Sequence, residues 1–243
     1  MSSSLSSSST QARTLEVFPE FPPRDDMQNA LHLYDDGHQA ILRRYFGNAA
    51  TTIILSEIPV RWTPSQVQGH RIPDFLIAFD VNRPRAVEQN GYSIRDQGKP
   101  PDFVLEIASL TTSNTDLVDK RRDYAGFSIP EYWRFDPTGG DRYGDPLAGD
   151  RLAGGTYESV DILEVAPNHF HGRSDVLGLS LCWDDGKLRW FDPSAEQHLL
   201  LVDEGQEALI AEREGRIAER EARIAAEARV RELEEQLKAR NQG

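Results

Sequence analysis

One cysteine, Cys182, stands in a chain of 243 residues, so neither an intramolecular disulfide nor a cysteine-built metal cluster can form. No apolar run approaches the roughly 20 residues needed to cross a bilayer. The start, MSSSLSSSST, has no apolar stretch and reads as neither a signal peptide nor a membrane anchor. The expectation is a cytoplasmic protein with no membrane partner. Basic residues are also scarce. Lys and Arg total 27 against 40 Asp and Glu, for a net charge of −13 and a pI near 4.9. Such a balance disfavours tight nonspecific binding to nucleic acid, which relies on phosphate neutralisation. A local basic groove, or metal ions held by carboxylates, remains compatible with it.

The hydrophobic share is 38% and the mean hydropathy −0.56, low for a chain packed throughout. One substantial core with appendages is the expected organisation: a disordered arm over 1–25, a core domain over 26–202 and a charged helical tail over 203–243. The arm is serine-rich and then punctuated by Pro19, Pro22 and Pro23. From 27 to 46 the pattern is helical, with Ile41, Leu42, Tyr45 and Phe46 on one face, Gly37 as a break and Gly47-Asn48 as a stop. Strands are expected over 51–59, 73–81, 103–108 and 131–135, and a helix over 116–125 capped by Thr115 or Asn114. The polar stretch 83–101, with Gly91 and Gly98, reads as a hairpin or loop, and 139–155 as a loop or weakly paired hairpin. Further strands are expected over 157–165 and 188–191, and either a strand or a packed turn over 177–183. Helices alternating with short apolar strands indicate a mixed α/β core.

The end of the chain is different in kind. AEREGRI over 211–217 is followed directly by AEREARI over 218–224, a seven-residue repeat. Ile210, Ile217 and Ile224 recur at heptad spacing, and Val230, Leu233 and Leu237 extend the stripe in shifted phase. A long helix is expected, either a coiled coil joining a homodimer or a lone helix held by Glu–Arg pairs.

Two apolar runs carry a carboxylate that buried strands usually avoid. Asp74 follows Pro73 and opens FLIAF, and Glu106 lies inside FVLEIA. On neighbouring strands the two would converge and, with the carbonyl of Ile107, offer the hard oxygen ligands that Mg²⁺ or Mn²⁺ prefers. Taken singly, Asp74 also reads as a turn cap and Glu106 as the partner of a nearby arginine. His38 and Glu57 are weaker candidates for the same site, with a structural histidine and an edge-strand salt bridge as their plain readings. Tyr124, Tyr132 and Trp133 read as core residues. Arg121 and Arg122 are either phosphate contacts or a solvated helix face.

The stretch PDFVLEIASLTTSNTDLVDKRRDYAGFSIPEYWRFDP, ending at Pro137, closely resembles the Uma-type restriction endonucleases, a bacterial family with the PD-(D/E)XK nuclease fold. The ordered elements are Pro73-Asp74, Glu106 followed by Ser109-Leu110-Thr111-Thr112, Asp116 with Lys120, Tyr124, 130–133 and Asp136-Pro137. The resemblance spans roughly 27–193. It implies a restriction-endonuclease-like core with a mixed β-sheet and hydrolysis of DNA phosphodiester bonds. Asp74, Glu106 and the Ile107 carbonyl would hold Mg²⁺ or Mn²⁺. Ala108 stands where the motif wants lysine, and the resemblance assigns that role to Lys120 on the next helix. Leu110 replaces a proline usual in the turn. The alternative is a catalytically inactive nuclease fold used for nucleic-acid or protein interaction, which the acidic balance and the displaced lysine favour.

Overall fold

The computed structural model describes residues 16, 18, 37–65, 69–109 and 115–207, and isolated residues or pairs beyond as far as Arg223. The chain divides into two units, 1–199 and 200–243. In the first, helix α1 (His38–Phe46) leads into β1 (Ile53–Leu55), β2 (Val60–Arg61) and β3 (Phe75–Ala78). Helix α2 (Arg83–Gln89), β4 (Tyr92–Ser93) and a single helical turn α3 (Ile94–Gln97) then precede β5 (Phe103–Ile107). A π-helical turn (Thr115–Lys120) runs into α4 (Arg121–Gly126) and β6 (Glu131–Phe135). Seven strands follow: β7 (Leu147–Ala153), β8 (Thr156–Ser159), β9 (Ile162–Ala166), β10 (His169–Arg173), β11 (Ser180–Asp184), β12 (Lys187–Asp192) and β13 (Gln197–His198).

The main sheet has the order β1-β3-β5-β6-β7-β8. Only β5 and β6 pair in parallel, bridged by the π turn and α4; the other neighbours are antiparallel. The expected mixed α/β core is therefore present. A second, antiparallel sheet has the order β13-β12-β11-β10-β9.

Strand period 2 divides the core between the faces of the main sheet. Phe103, Leu105 and Ile107 of β5 and Trp133 and Phe135 of β6 pack with Leu181, Trp183, Leu188 and Trp190 of the second sheet and with Leu42 of α1. Leu76, Val104 and Tyr132 point the other way, toward Tyr92, Ala86 and Tyr124. Glu106, two residues after Val104, belongs to this second face.

Several expectations are corrected. The segment 83–101 is not a hairpin. Asn82 caps α2, its side chain accepting from the Arg85 N–H, with Pro84 in the first turn, and Ser93 caps α3. Both helices end in a left-handed residue just past them, Asn90 after α2 and Gly98 after α3. Gly91 serves packing instead, since a Cβ there would lie 2.5 Å from the Phe18 ring. Of the segment 139–155, residues 139–146 hold no helix or strand, as expected of a loop, but 147–153 form β7, a seven-residue strand between β6 and β8. Its low apolarity hides a steric fit: a Cβ on Gly149 would come within 2.7 Å of the Trp133 ring. The stretch 177–183 resolves into β11, and 157–165 into β8 and β9.

The long C-terminal helix is not established. Continuous helix covers only residues 202–207. Ile217, Ile224 and everything beyond lie outside the described residues, as does the arm over 1–25 apart from Glu16 and Phe18. Leu110, Thr111 and Thr112 also fall outside them. No helix among the described residues is long and apolar enough to cross a membrane.

Candidate functional site

The antiparallel register of β3 and β5 pairs Phe75 with Leu105 and Leu76 with Val104. Continued by one residue, it sets Asp74 opposite Glu106, on the face shared with Leu76 and Val104. Asp74 bends back onto β5, its Oδ2 accepting the backbone N–H of Ile107 at 2.7 Å. Two carboxylates 32 residues apart thus meet because one strand pair brings them level.

Glu106 is fully buried. Its Oε1 accepts the Tyr124 hydroxyl at 2.5 Å, and its Oε2 lies 2.8 Å from Lys120 Nζ. The same ammonium is 2.7 Å from Asp116 Oδ1. Asp116 is the second residue of the π-helical turn and Lys120 its last, and their four-residue spacing puts both on one side of it. Asp116 is buried as well, its Oδ2 accepting the Tyr143 hydroxyl at 2.6 Å and its backbone carbonyl the Tyr132 hydroxyl at 2.8 Å.

Tyr143 reaches this point through a loop organised by Asp136. That buried carboxylate accepts from the backbone N–H groups of Thr138, Arg142 and Tyr143 and from the Thr138 hydroxyl. Burial opposes its charge, but these hydrogen bonds outweigh burial and hold the carboxyl below its ordinary range. The loop also brings the Arg142 guanidinium to the Ala108 carbonyl at 2.8 Å.

Three carboxyl groups, of Asp74, Glu106 and Asp116, stand around a single ammonium, so the cluster is short of positive charge. Burial first, and then the charges of Asp74 and Asp116, push the Glu106 carboxyl up to about 8 despite the nearby Lys120. Burial would lower the Lys120 ammonium, but Glu106, Asp116 and Asp74 together hold it above its ordinary value. Such a donor set, all hard oxygen and short of positive charge, suits a small divalent cation.

Asp74, Glu106 and Lys120 come together, and the Ile107 backbone lies beside them. His38 does not join them: buried on α1, it accepts the Trp190 indole N–H through Nδ1 at 3.1 Å. Glu57 occupies a left-handed turn, with its backbone N–H on the Pro73 carbonyl. Arg121 is engaged by Asp150 and the Tyr157 carbonyl, while Arg122 is exposed beside Asp119 and Asp123. Tyr124 and Tyr132 are core residues whose hydroxyls also serve the site.

Sequence reasoning missed Asp116 as a member of the cluster and Tyr143 altogether. The Asp116–Lys120 spacing was a usable signal; nothing local to Tyr143 announces its reach across the sheet. A second Pro-Asp pair, Pro101-Asp102, also precedes an apolar strand. Asp102 instead accepts from the Phe79 N–H and pairs with Lys99, which fastens the start of β5.

A family model described as "Uma2: Putative restriction endonuclease" matches residues 38–181, more than half of the chain. Among solved structures the chain is similar to the crystal structure of "a putative nuclease belonging to DUF820" from Anabaena variabilis ATCC 29413. That match has 15% identity and a TM-score of 0.38, over 60% of this chain and 75% of the other. No curated protein matches.

Proposed function

This chain belongs to the Uma2 family of restriction-endonuclease-like proteins, and from its buried carboxylate–lysine cluster we propose that it is a metal-dependent endonuclease acting on DNA phosphodiester bonds. The observation that carries the reading is the excess of carboxylate at a single lysine: Asp74, Glu106 and Asp116 around Lys120, with Glu106 raised by burial and by its neighbours. Asp74, Glu106 and the Ile107 carbonyl would hold Mg²⁺ or Mn²⁺. When bound, the ion would polarise the phosphodiester and lower the pKa of the attacking water.

The chain's own groups have separable tasks. The Tyr124 hydroxyl fixes Glu106 through Oε1 and leaves Oε2 facing the Lys120 ammonium. Asp116, held by Tyr143, positions the Lys120 ammonium. Released from Glu106, that ammonium can orient a water or balance a phosphate oxygen as negative charge develops there. Arg142, drawn to the Ala108 carbonyl by the Asp136 loop, is a nearby cation for the nucleic-acid backbone.

The test is cleavage of supercoiled plasmid DNA by the wild type, Asp74→Asn and Glu106→Gln, each with Mg²⁺, Mn²⁺ or EDTA. Metal-dependent nicking lost in both variants supports the reading, and equal nicking in all three proteins overturns it. One observation favours the catalytically inactive alternative: the Lys120 ammonium already lies 2.8 Å from Glu106 and 2.7 Å from Asp116. Calorimetry with Mn²⁺ on the wild type and on Asp74→Ala separates the two readings without a substrate. Cutting both strands of a duplex calls for two copies, and the repeat over 211–224 is the segment we propose to join them. Light scattering on the full chain and on a chain ending at 202 tests this, and identical masses per subunit sink it.

A further inference from the structure

The second sheet turns Leu181, Trp183, Leu188 and Trp190 toward the core, so the residues alternating with them lie on its other face. Cross-strand pairing places His169 opposite Asp184, and His171 opposite Cys182. On the neighbouring strands Phe191 stands opposite both Ser180 and His198. Cross-strand partners share a face, so three histidines from β10 and β13 gather around the one carboxylate of Asp184.

We propose that His171, Asp184 and His198 form a binding site for a borderline divalent transition cation of the zinc class, separate from the carboxylate cluster of the main sheet. One ligand atom from each residue lies within 4.8 Å of the others. His171 Nε2 is 3.9 Å from Asp184 Oδ1, and His198 Nε2 is 3.9 Å from Asp184 Oδ2. These gaps are too long for direct hydrogen bonds. They are close to the edge of a tetrahedron about an ion with bonds of ~2.1 Å, which is roughly 3.4 Å, so closing on the ion takes small side-chain rotations.

The donors also have the right chemistry. Two imidazoles and one carboxylate suit zinc and its neighbours in the transition series, whereas the all-oxygen set around Glu106 suits magnesium or manganese. Burial favours neutral His171, the form that can ligate, and His198 and His169 act in the same direction against the pull of Asp184. His169 Nδ1, 3.1 Å from Asp184 Oδ1, is placed to orient the carboxylate from behind. The Phe191 ring packs 5.3 Å from His198 and 5.8 Å from His171, giving the site an apolar wall. Lys187, opposite Asp184, Arg189, opposite Cys182, and Arg173, opposite Ser180, are cations on this face. Cys182 is buried and its thiol is pushed up by burial and by Asp184, so it does not compete as a thiolate.

The ion would fasten β13, a two-residue edge strand, to β10 and β11 across β12. The three side chains are partly exposed, so an ion can enter from solvent and keep water in its remaining positions.

The test is titration of the tag-free full chain with Co²⁺, read by visible d–d absorption, followed by displacement with Zn²⁺. The expected result is one equivalent with these bands, kept in the Asp74→Asn/Glu106→Gln double variant. It should be weakened at least ~10-fold by His171→Ala, His198→Ala or Asp184→Asn. Zn²⁺ should also raise the thermal midpoint of the wild type and leave that of His171→Ala unchanged. Absence of the bands in the wild type overturns the proposal. So does binding that survives both histidine variants, or binding lost only with Asp74 and Glu106.

Discussion

Two fully buried glutamates stand on adjacent strands of the main sheet, and they live in opposite surroundings. Glu131, at the start of β6, accepts from the Trp133 indole N–H, the Ser174 hydroxyl and the backbone N–H groups of Asp175 and Val176. Its close donors are all neutral, with Arg151 farther off at 3.7 Å. Together they pin the turn after β10 to the sheet. Glu106, on β5, has one hydroxyl donor, one shared ammonium and two other carboxylates pressing on it. Both are buried acids in apolar strands. The first is saturated by dipoles and belongs to the architecture. The second sits among charges that do not cancel, the arrangement on which the proposed cation site rests.

The sharpest break between the two is functional. Asp74→Asn and Glu106→Gln should each lower metal-dependent DNA cleavage by ~10³-fold or more, equivalent to about 4 kcal/mol of barrier. Neither change should unfold the chain, because each amide keeps the size and shape of the carboxyl group it replaces. Plasmid nicking and urea titration check the pair of statements.

Glu131→Ala should do the reverse. It strands a hydroxyl, an indole N–H and two backbone N–H groups near the core, at a cost of about 3 kcal/mol or more in urea unfolding. Cleavage per folded molecule should stay near wild type. A larger loss of specific activity than of stability would erase the distinction drawn here.

Lys120→Ala should cut turnover ~10²-fold while Mn²⁺ still binds, since it removes the ammonium and leaves all three carboxylates. If Lys120 acts as the displaced motif lysine, Ala108→Lys in that background should restore part of the activity. Full activity in Lys120→Ala would remove the lysine from the mechanism. Tyr143→Phe is the gentlest probe: it deletes one hydrogen bond to Asp116 and should cost about 1 kcal/mol in stability or a few-fold in turnover.

A pH series sharpens the contrast further. The Glu106 carboxyl has a folded-state value of about 8 against an ordinary 4.5, so the folded chain binds that proton more tightly than the unfolded chain does. The resulting stabilisation is full below about 4.5 and is lost as pH rises through about 8. In EDTA, the urea midpoint of the wild type should therefore fall between about pH 5 and about pH 9 relative to Glu106→Gln, which cannot titrate there. Parallel curves for the two proteins would show that Glu106 does not carry the shift.

Legibility in the sequence followed the range of the interaction. Strand β5 was readable because five apolar neighbours around Glu106 in FVLEIA demand burial, and its lone carboxylate was therefore conspicuous. Strand β7 is hidden by the Gly- and Asp-rich stretch 139–155 in which it lies. Its Gly149 is required by the indole of Trp133, sixteen residues earlier in the chain, and no window around 149 contains that ring. The helices over 83–97 are hidden because Gly91 and Gly98 read as hairpin or loop residues, whereas Gly98 ends a helix and Gly91 makes room for Phe18.

The sequence alone determined the mixed α/β character, the family resemblance and the identity of Asp74, Glu106 and Lys120 as the residues to watch. These rest on local periodicity and on an ordered set of short motifs. Only the tertiary structure decided that Asp116 and Tyr143 complete the cluster, that His38 serves a tryptophan, and that Glu131 is architectural while Glu106 is not. It alone also gathered His171, Asp184 and His198 on one face of the second sheet. The reason is physical: a side chain's charge state and role depend on what surrounds it within a few ångströms, and strand register and loop closure supply those neighbours from distant parts of the chain.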